Sequence, residues 1–192
     1  MRIDLGCGNR KMPGCIGIDR IPYDGVDIVH DMNEPMPFED NSISYIMASH
    51  SLQYVHHLQP VLEEIYRVCK HGAIVCIIAP YAHVTAHMTN PHFKQFFNEH
   101  SPRYWTEDPY YYVDQDEYLF RQNTSWSLAE AAQELKMDFR LLRLEFFITP
   151  STAHMTPWSS VCYGKANSMS PTKSCTNLLL LKKTSPPKSL PI

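Results

Sequence analysis

The sequence predicts an α/β domain built on a mostly parallel sheet, with a late antiparallel strand and few helices near the N-terminus. Three observations carry this. Short apolar strands alternate with polar or helical stretches from Arg2 to Pro80. Within that stretch, a strand over Ser44–Ala48, a helix over Pro60–Lys70 and a strand over Ala73–Ile78 form one βαβ unit, so those two strands are parallel. Two further strands, Phe139–Thr149 and Cys175–Lys183, come late and are joined by a polar stretch containing Ser and Pro.

The first strand, Ile3–Leu5, runs into the turn Gly6-Cys7-Gly8. The two glycines let the backbone bend and come close to a ligand where a Cβ would clash. The second strand, Cys15–Asp19, ends in an aspartate whose two oxygens can take both hydroxyls of one ribose. A strand, a glycine turn and a strand ending in an acid hold a nucleoside along the carboxyl ends of a parallel sheet. The third strand is read at Asp27–His30. In the helix, Val61, Leu62, Ile65 and Val68 share one face, with Pro60 in the first turn and Gly72 just past the end. Ala73–Ile78 is a near-continuous apolar run, as in a strand covered on both faces.

From Tyr81 to Gln122 the chain has no clean period and is rich in His, Pro, Tyr and Phe. Segments this long inside a domain are usually functional. A second helix is expected over Ser125–Met137, with Ser125 or Ser127 as N-cap and Leu128, Ala131, Ala132 and Leu135 on one face. The tail Ser185–Ile192 carries three prolines and is expected to be disordered, leaving a single domain over residues 1–184.

Composition narrows the function. The 192 residues can bury one sizeable core, and the net charge of −3 provides no general attraction to nucleic acid or to an anionic membrane. The longest aliphatic run, Leu178–Leu181, is far short of a membrane span, and the first strand starts too early to leave room for a signal peptide. The six cysteines include no CxxC pair, so the expected setting is a reduced cytoplasm. The glycine turn is not a dinucleotide fingerprint: the third glycine of G-x-G-x-x-G is replaced by Lys11, and Asp19 comes earlier than the usual spacing of about 20 residues.

Four motifs in order, Asp4-Leu5-Gly6-Cys7-Gly8, Asp19, His30-Asp31-Met32-Asn33 leading to Pro37–Ser42, and Ile65–Gly72, resemble the class I S-adenosylmethionine-dependent methyltransferases, most closely the methyltransferase type 11 subset. The resemblance covers about Arg2 to Pro80 and implies a Rossmann-like sheet with S-adenosylmethionine as cofactor. By that resemblance, Gly6 and Gly8 face the cofactor's amino acid end, Asp4 accepts from its ammonium, Asp19 holds the ribose, Asp31 accepts from the adenine amino group, and Met32 lies on the ring. Ser49 and His50 would lie beside the sulfonium and the incoming nucleophile.

The chain also departs from that pattern. The crossovers Gly6–Cys15 and Arg20–Val26 are too short for helices, although ten extended residues reach up to about 33 Å. The missing first helix removes an anion-binding N-terminus. Arg10 or Lys11 is therefore expected to supply the positive charge at the cofactor carboxylate, and the uncovered sheet face calls for the 81–122 segment or a homodimer partner. After the fourth strand, relatives carry a His-x-Leu-Glu-His run where this chain has His50-Ser51-Leu52-Gln53-Tyr54.

His92, in Pro91–Phe97, and His50 are the expected acid–base or positioning groups. His83 and His87 stand four apart, but no nearby acid or cysteine completes a metal site, so none is expected. The segment with Tyr104, Trp105, Tyr110, Tyr111, Tyr112, Tyr118 and Phe120, set among acids, suits a small neutral or cationic acceptor in a pocket between residues 81 and 122. The expected reaction is methyl transfer to an oxygen, nitrogen or sulfur of a small molecule, without nucleic acid or membrane partners. The alternatives are a non-catalytic cofactor-binding subunit, or a protein or nucleic acid methyltransferase.

Overall fold

The computed structural model describes residues 1–106, 136–148 and 175–183. Their strands are β1 (Arg2–Leu5), β2 (Ile16–Asp19), β3 (Ile28–Val29), β4 (Ile43–Ser49), β5 (Cys69–Pro80), β6 (Phe139–Ile148) and β7 (Cys175–Lys183). They form one sheet in the order β3-β2-β1-β4-β5-β7-β6. The strands β1 to β5 pair in parallel, while β7 runs antiparallel to both neighbours. The α/β fold with a late antiparallel strand is thus as expected. The second expected helix, apart from its last residues, lies outside the described residues, as do residues 150–174 and the tail. Lys136 and Met137, at the expected end of that helix, are not helical.

Neither early crossover contains a helix: residues 6–15 and 20–27 are turns, bends and irregular chain. They are held by carboxylates instead. Asp4 Oδ2 accepts the Met12 N–H at 2.7 Å, and Asp27 Oδ2 accepts the Gly17 N–H at 2.7 Å. Lys11 Nζ joins Asp27 at 2.7 Å, and its stem lies across Gly17, where a Cβ would come within 2.6 Å of Lys11 Cδ.

The helix α1 (Leu58–Val68) starts two residues earlier than expected and ends two earlier. Cys69 is already extended, at φ −71 and ψ 137, because it pairs with Ile43 of β4. Gly72 is therefore not a helix cap. It sits inside β5 at φ 77, where the register slips between the Ile43 and Tyr45 pairings and the extra residues bulge. The face of α1 with Val61, Leu62, Ile65 and Val68 is buried against Ile3, Leu5, Ile46, Ala48, Val75 and Ile77 of the sheet. Fully burying one such aliphatic side chain contributes about 1.5–3 kcal/mol.

Phe97 and Trp105 join the same core, so part of the 81–106 segment covers this face. Among the described residues the opposite face is thinner: Tyr45, Met47, Ile74 and Ile78 stay partly exposed. Arg67 clamps the chain before β4 onto α1, donating to the Met36 and Phe38 carbonyls, to Asp40 and to Glu64.

Lys183, the last residue of β7, is 7% exposed. Its Nζ donates to the Tyr66 and Cys69 carbonyls, both at 2.8 Å, and to Asn41 Oδ1 at 3.0 Å. It also lies 4.3 Å from the Tyr66 ring centroid. A cation thus satisfies the carbonyl end of α1 and ties the C-terminal strand to the first half of the domain. Removing it orphans buried carbonyls, at a cost of about 1–3 kcal/mol. Lys183→Met is expected to lower the urea midpoint clearly, while Lys70→Met, at an exposed position of β5, leaves it within experimental error. Equal midpoints for the two variants would refute the capping role.

Candidate functional site

The sheet order reverses between β1 and β4, and in open α/β sheets ligands bind outside the carboxyl ends of the strands at that point. Nearly all the sequence-predicted residues collect along this edge: Gly6 and Gly8 after β1, Asp19 at the end of β2, Asp31 and Met32 after β3, and Ser49 and His50 at the end of β4.

The glycine turn follows β1 closely. The Gly6 and Cys7 amides both reach the Ile18 carbonyl, at 2.8 and 3.1 Å. Gly6 has φ 72, and a Cβ there would lie 2.3 Å from Ser51 Cβ and 3.0 Å from Met32 Cε. Ser51 in turn donates its hydroxyl to the Leu5 carbonyl at 2.7 Å. The loops after β1 and β4 therefore interlock, and only glycine fits between them. Gly8, at φ 55, has no atom within 4 Å of a Cβ position. The turn is packed on one side and open on the other.

Asp19 accepts the Gly8 N–H on Oδ2 at 2.9 Å and the Ile21 N–H on Oδ1 at 3.0 Å. A carboxylate offers about four lone-pair sites, so each oxygen can take one more donor. Asp4 is 4% exposed; burial raises its pKa, while the bond from Met12 opposes this. Asp31 Oδ1 accepts both the backbone and side-chain N–H of Asn33, at 2.9 and 2.7 Å, and the backbone bond holds its pKa below the usual carboxylate range. Asn33 Oδ1 then accepts the His56 amide at 2.9 Å, tying the loop after β3 to the loop after β4.

Of the two cations after the turn, Lys11 is committed to Asp27 and Arg10 is exposed. Among the described residues Arg10 forms no hydrogen bond or ion pair through its side chain.

His50 adopts φ 52, an unusual conformation for a side chain with a Cβ. Its N–H donates to the Ile78 carbonyl at 2.7 Å, and its own carbonyl accepts from Gln53 Nε2 at 2.8 Å. With Ser51 anchored as well, the loop over-determines this backbone, as strained functional residues require. Partial desolvation of the ring, together with His87, lowers the His50 pKa below the ordinary histidine value.

His92 lies in an exposed turn, its amide bonded to Asn90 Oδ1 at 3.0 Å. The imidazole whose charge acts on His50 is that of His87, in the short helix α2 (Thr85–Met88). The sequence signal for it was the His83–His87 spacing, read there as a metal question. Among the described residues no group of three or more His, Cys, Asp or Glu could hold a metal. Cys7, Cys15, Cys69 and Cys76 are buried free thiols. Tyr54 and Phe93 pack edge to face at 5.4 Å, and His87 lies 6.2 Å from Phe93, giving this side an aromatic wall. Residues 107–122 of the expected acceptor segment lie outside the described residues. No helix among the described residues is long and apolar enough to cross a membrane.

Residues 3–77 match a family model described as a methyltransferase domain. No curated protein matches the chain in sequence. Solved structures match it in fold. The YcgJ protein of Bacillus subtilis is 12% identical and aligns over 96% of this chain and 92% of its own, with a TM-score of 0.56. A SAM-dependent methyltransferase of Thermotoga maritima is 13% identical over 95% of this chain and 81% of its own, with a TM-score of 0.52. An S-adenosylmethionine-dependent methyltransferase of Methanococcus maripaludis is 22% identical over 40% of this chain, with a TM-score of 0.35, and the match spans less than half (46%) of that protein. Residues 3–77 are thus similar to a methyltransferase domain, and the fold of nearly the whole chain is shared with the YcgJ protein and the Thermotoga SAM-dependent methyltransferase.

The two glycines are expected to differ. Alanine at either pays for its left-handed backbone, about 1–2 kcal/mol, but only at Gly6 does it also drive a methyl into Ser51. Gly6→Ala should lose more thermal stability than Gly8→Ala, and Ser51→Gly should recover part of the loss. Calorimetric unfolding of the four proteins checks this, and equal losses at Gly6 and Gly8 would show that the loops do not interlock.

Proposed function

We propose that this chain is a class I S-adenosylmethionine-dependent methyltransferase that transfers the methyl to a small-molecule acceptor bearing an oxygen, nitrogen or sulfur nucleophile. The observation that carries the reading is the aromatic side of the crevice beside His50. Tyr54 and Phe93 form a wall next to a histidine whose backbone is fixed at the crevice mouth. Walls of this kind suit small organic ligands. A nucleic acid would call for a positive surface, and the chain has a net charge of −3.

The cofactor edge fits its ligand. The open side of Gly8 leaves room for a ligand to approach the backbone. Asp19, steadied by two amides, keeps acceptor capacity for ribose hydroxyls. Met32 places its thioether end at the glycine turn, and Asp31 keeps Oδ2 clear of its Asn33 bonds. Asp4 divides its role: one oxygen holds the crossover through Met12, so any contact with an ammonium falls to the other. Arg10 stands where a helix N-terminus is absent and is the cation for the cofactor carboxylate. Bound cofactor supplies an electrophilic methyl group, and the chain's main contribution is to align the acceptor with it and keep out water.

Two features favour a second reading, a cofactor-binding subunit without transfer: the helix-free crossovers, and Gln53 and Tyr54 in place of the acid and second histidine of relatives. Titration calorimetry with S-adenosylmethionine, followed by a labelled-methyl screen over small acceptors, separates the two. Binding with transfer is expected. Binding with no transfer to any acceptor would favour the subunit, and no binding would overturn both. Asp19→Asn should weaken cofactor binding at least about tenfold, on the scale of a lost charge-assisted hydrogen bond, about 1.5–3 kcal/mol. Arg10→Ala should weaken it less, because its partner would be held near bulk water. If neither substitution changes the affinity, these residues do not hold the cofactor.

A further inference from the structure

We infer that His87 is the proton acceptor of the methyl-transfer site, with Nε2 as its basic atom. This rests on the methyltransferase reading above and adds to it a residue and an atom.

The tautomer follows from one contact. His87 Nδ1 lies 3.1 Å from the Tyr81 carbonyl oxygen. A carbonyl oxygen can only accept, so Nδ1 must donate and carry the proton in the neutral ring. Nε2 is left with its lone pair, the state a general base needs.

The position follows from the strands. Ser49 pairs with Ile78, and His50 donates its amide to the Ile78 carbonyl at 2.7 Å, so the end of β4 lies against the end of β5. Tyr81 comes directly after β5, and α2 folds back so that His87 reaches its carbonyl. The Phe93 ring stands beside His87, and Tyr54 stands beside Phe93. His50 and His87 thus share one mouth.

Their electrostatics agree with this geometry. Desolvation first, and then the charge of His87, lower the His50 pKa. His83, against the Tyr81 ring at 5.0 Å, is the next imidazole along this segment. The buried carboxamide of Gln53, 2% exposed, leaves Oε1 without a partner while Nε2 holds the His50 carbonyl. His50 is thus biased toward its neutral form, and the Nε2 lone pair that the Tyr81 contact leaves on His87 is the one placed to take the proton. In the step, the acceptor atom forms a bond to the methyl carbon as the carbon–sulfur bond breaks, with its electron pair going to sulfur. The acceptor's proton moves to Nε2 and then to water.

His87→Asn tests this, since the asparagine amide can still donate to the Tyr81 carbonyl but has no basic nitrogen. The full chain is titrated by nitrogen-detected histidine NMR with S-adenosylhomocysteine bound. Labelled transfer from S-adenosylmethionine is then measured with phenol and with thiophenol as acceptors. The wild type should show His87 as the Nδ1–H tautomer, and the variant should show the His50 midpoint shifted upward. Transfer to phenol, which must lose its proton, should fall by about 100-fold or more, the scale of general-base catalysis. Transfer to thiophenol, which ionises readily in water, should fall far less. An Nε2–H tautomer at His87, an unmoved His50 midpoint or equal losses with both acceptors would overturn the inference while leaving the methyltransferase reading in place. Binding without transfer to either acceptor in the wild type would overturn it together with the catalytic reading. Absence of cofactor binding would sink the reading on which it rests.

Discussion

The carboxylates at the ends of the first strands are the interaction on which the rest of this fold depends. A crossover helix would satisfy its own backbone amides, but residues 6–15 and 20–27 have no such helix. Their amides turn to side chains instead: Met12 to Asp4, Gly8 and Ile21 to Asp19, and Gly17 to Asp27. Each is a charge-assisted bond, stronger than one between neutral groups. Together they hold β1, β2 and β3 side by side with very little chain. The fold and the cofactor edge are consequently one structure, because the aspartate proposed to hold the ribose also closes the turn beside it.

A second lock holds the two sides of the crevice together. Ser51 reaches across to the Leu5 carbonyl, and its Cβ fills the space a side chain at Gly6 would need. The Gln53 amide holds the His50 carbonyl, and the Gln53 carbonyl in turn accepts the amides of Lys94 and Gln95, at 2.8 and 3.1 Å. One short loop therefore sets the floor of the crevice, fixes the backbone of His50 and anchors the segment that follows His87. The left-handed backbone at His50 persists because four neighbouring contacts oppose its relaxation.

What the sequence revealed was mostly local. Strand positions follow from apolar runs, and Cys175–Lys183 was legible residue for residue. The end of α1 was misread because Lys70-His71-Gly72 has the composition of a helix cap, while the deciding event is tertiary, the pairing of Cys69 with Ile43. Pattern reading cannot see a strand that begins where a helix stops, with its glycine in a bulge. Lys183 was invisible for the same reason, since its three acceptors lie more than a hundred residues away in the chain. Of the two cations after the glycine turn, only the structure separates Lys11, already paired with Asp27, from Arg10. His87 was seen as half of an i, i+4 pair, yet its partner is a carbonyl six residues before it, a contact with no signature in residue type.

The carboxylates that replace the helices also set the sign of the potential at the site. Cys7, between the two glycines, reports it: burial first, then the charges of Asp4 and Asp19, push its thiol up to about 11, against a smaller opposing effect of Lys11. A helix N-terminus at this place would have drawn the potential the other way. The glycine turn of this chain is thus a region that favours cations. The S-adenosylmethionine of the proposed reaction would bring two, an ammonium and a sulfonium, and after transfer only the ammonium would remain. On the proposed reading, an edge built from aspartates would interact more favourably with the charged cofactor than with its thioether product. The cofactor's single carboxylate would then be the one group that calls for a cation, the role proposed for Arg10.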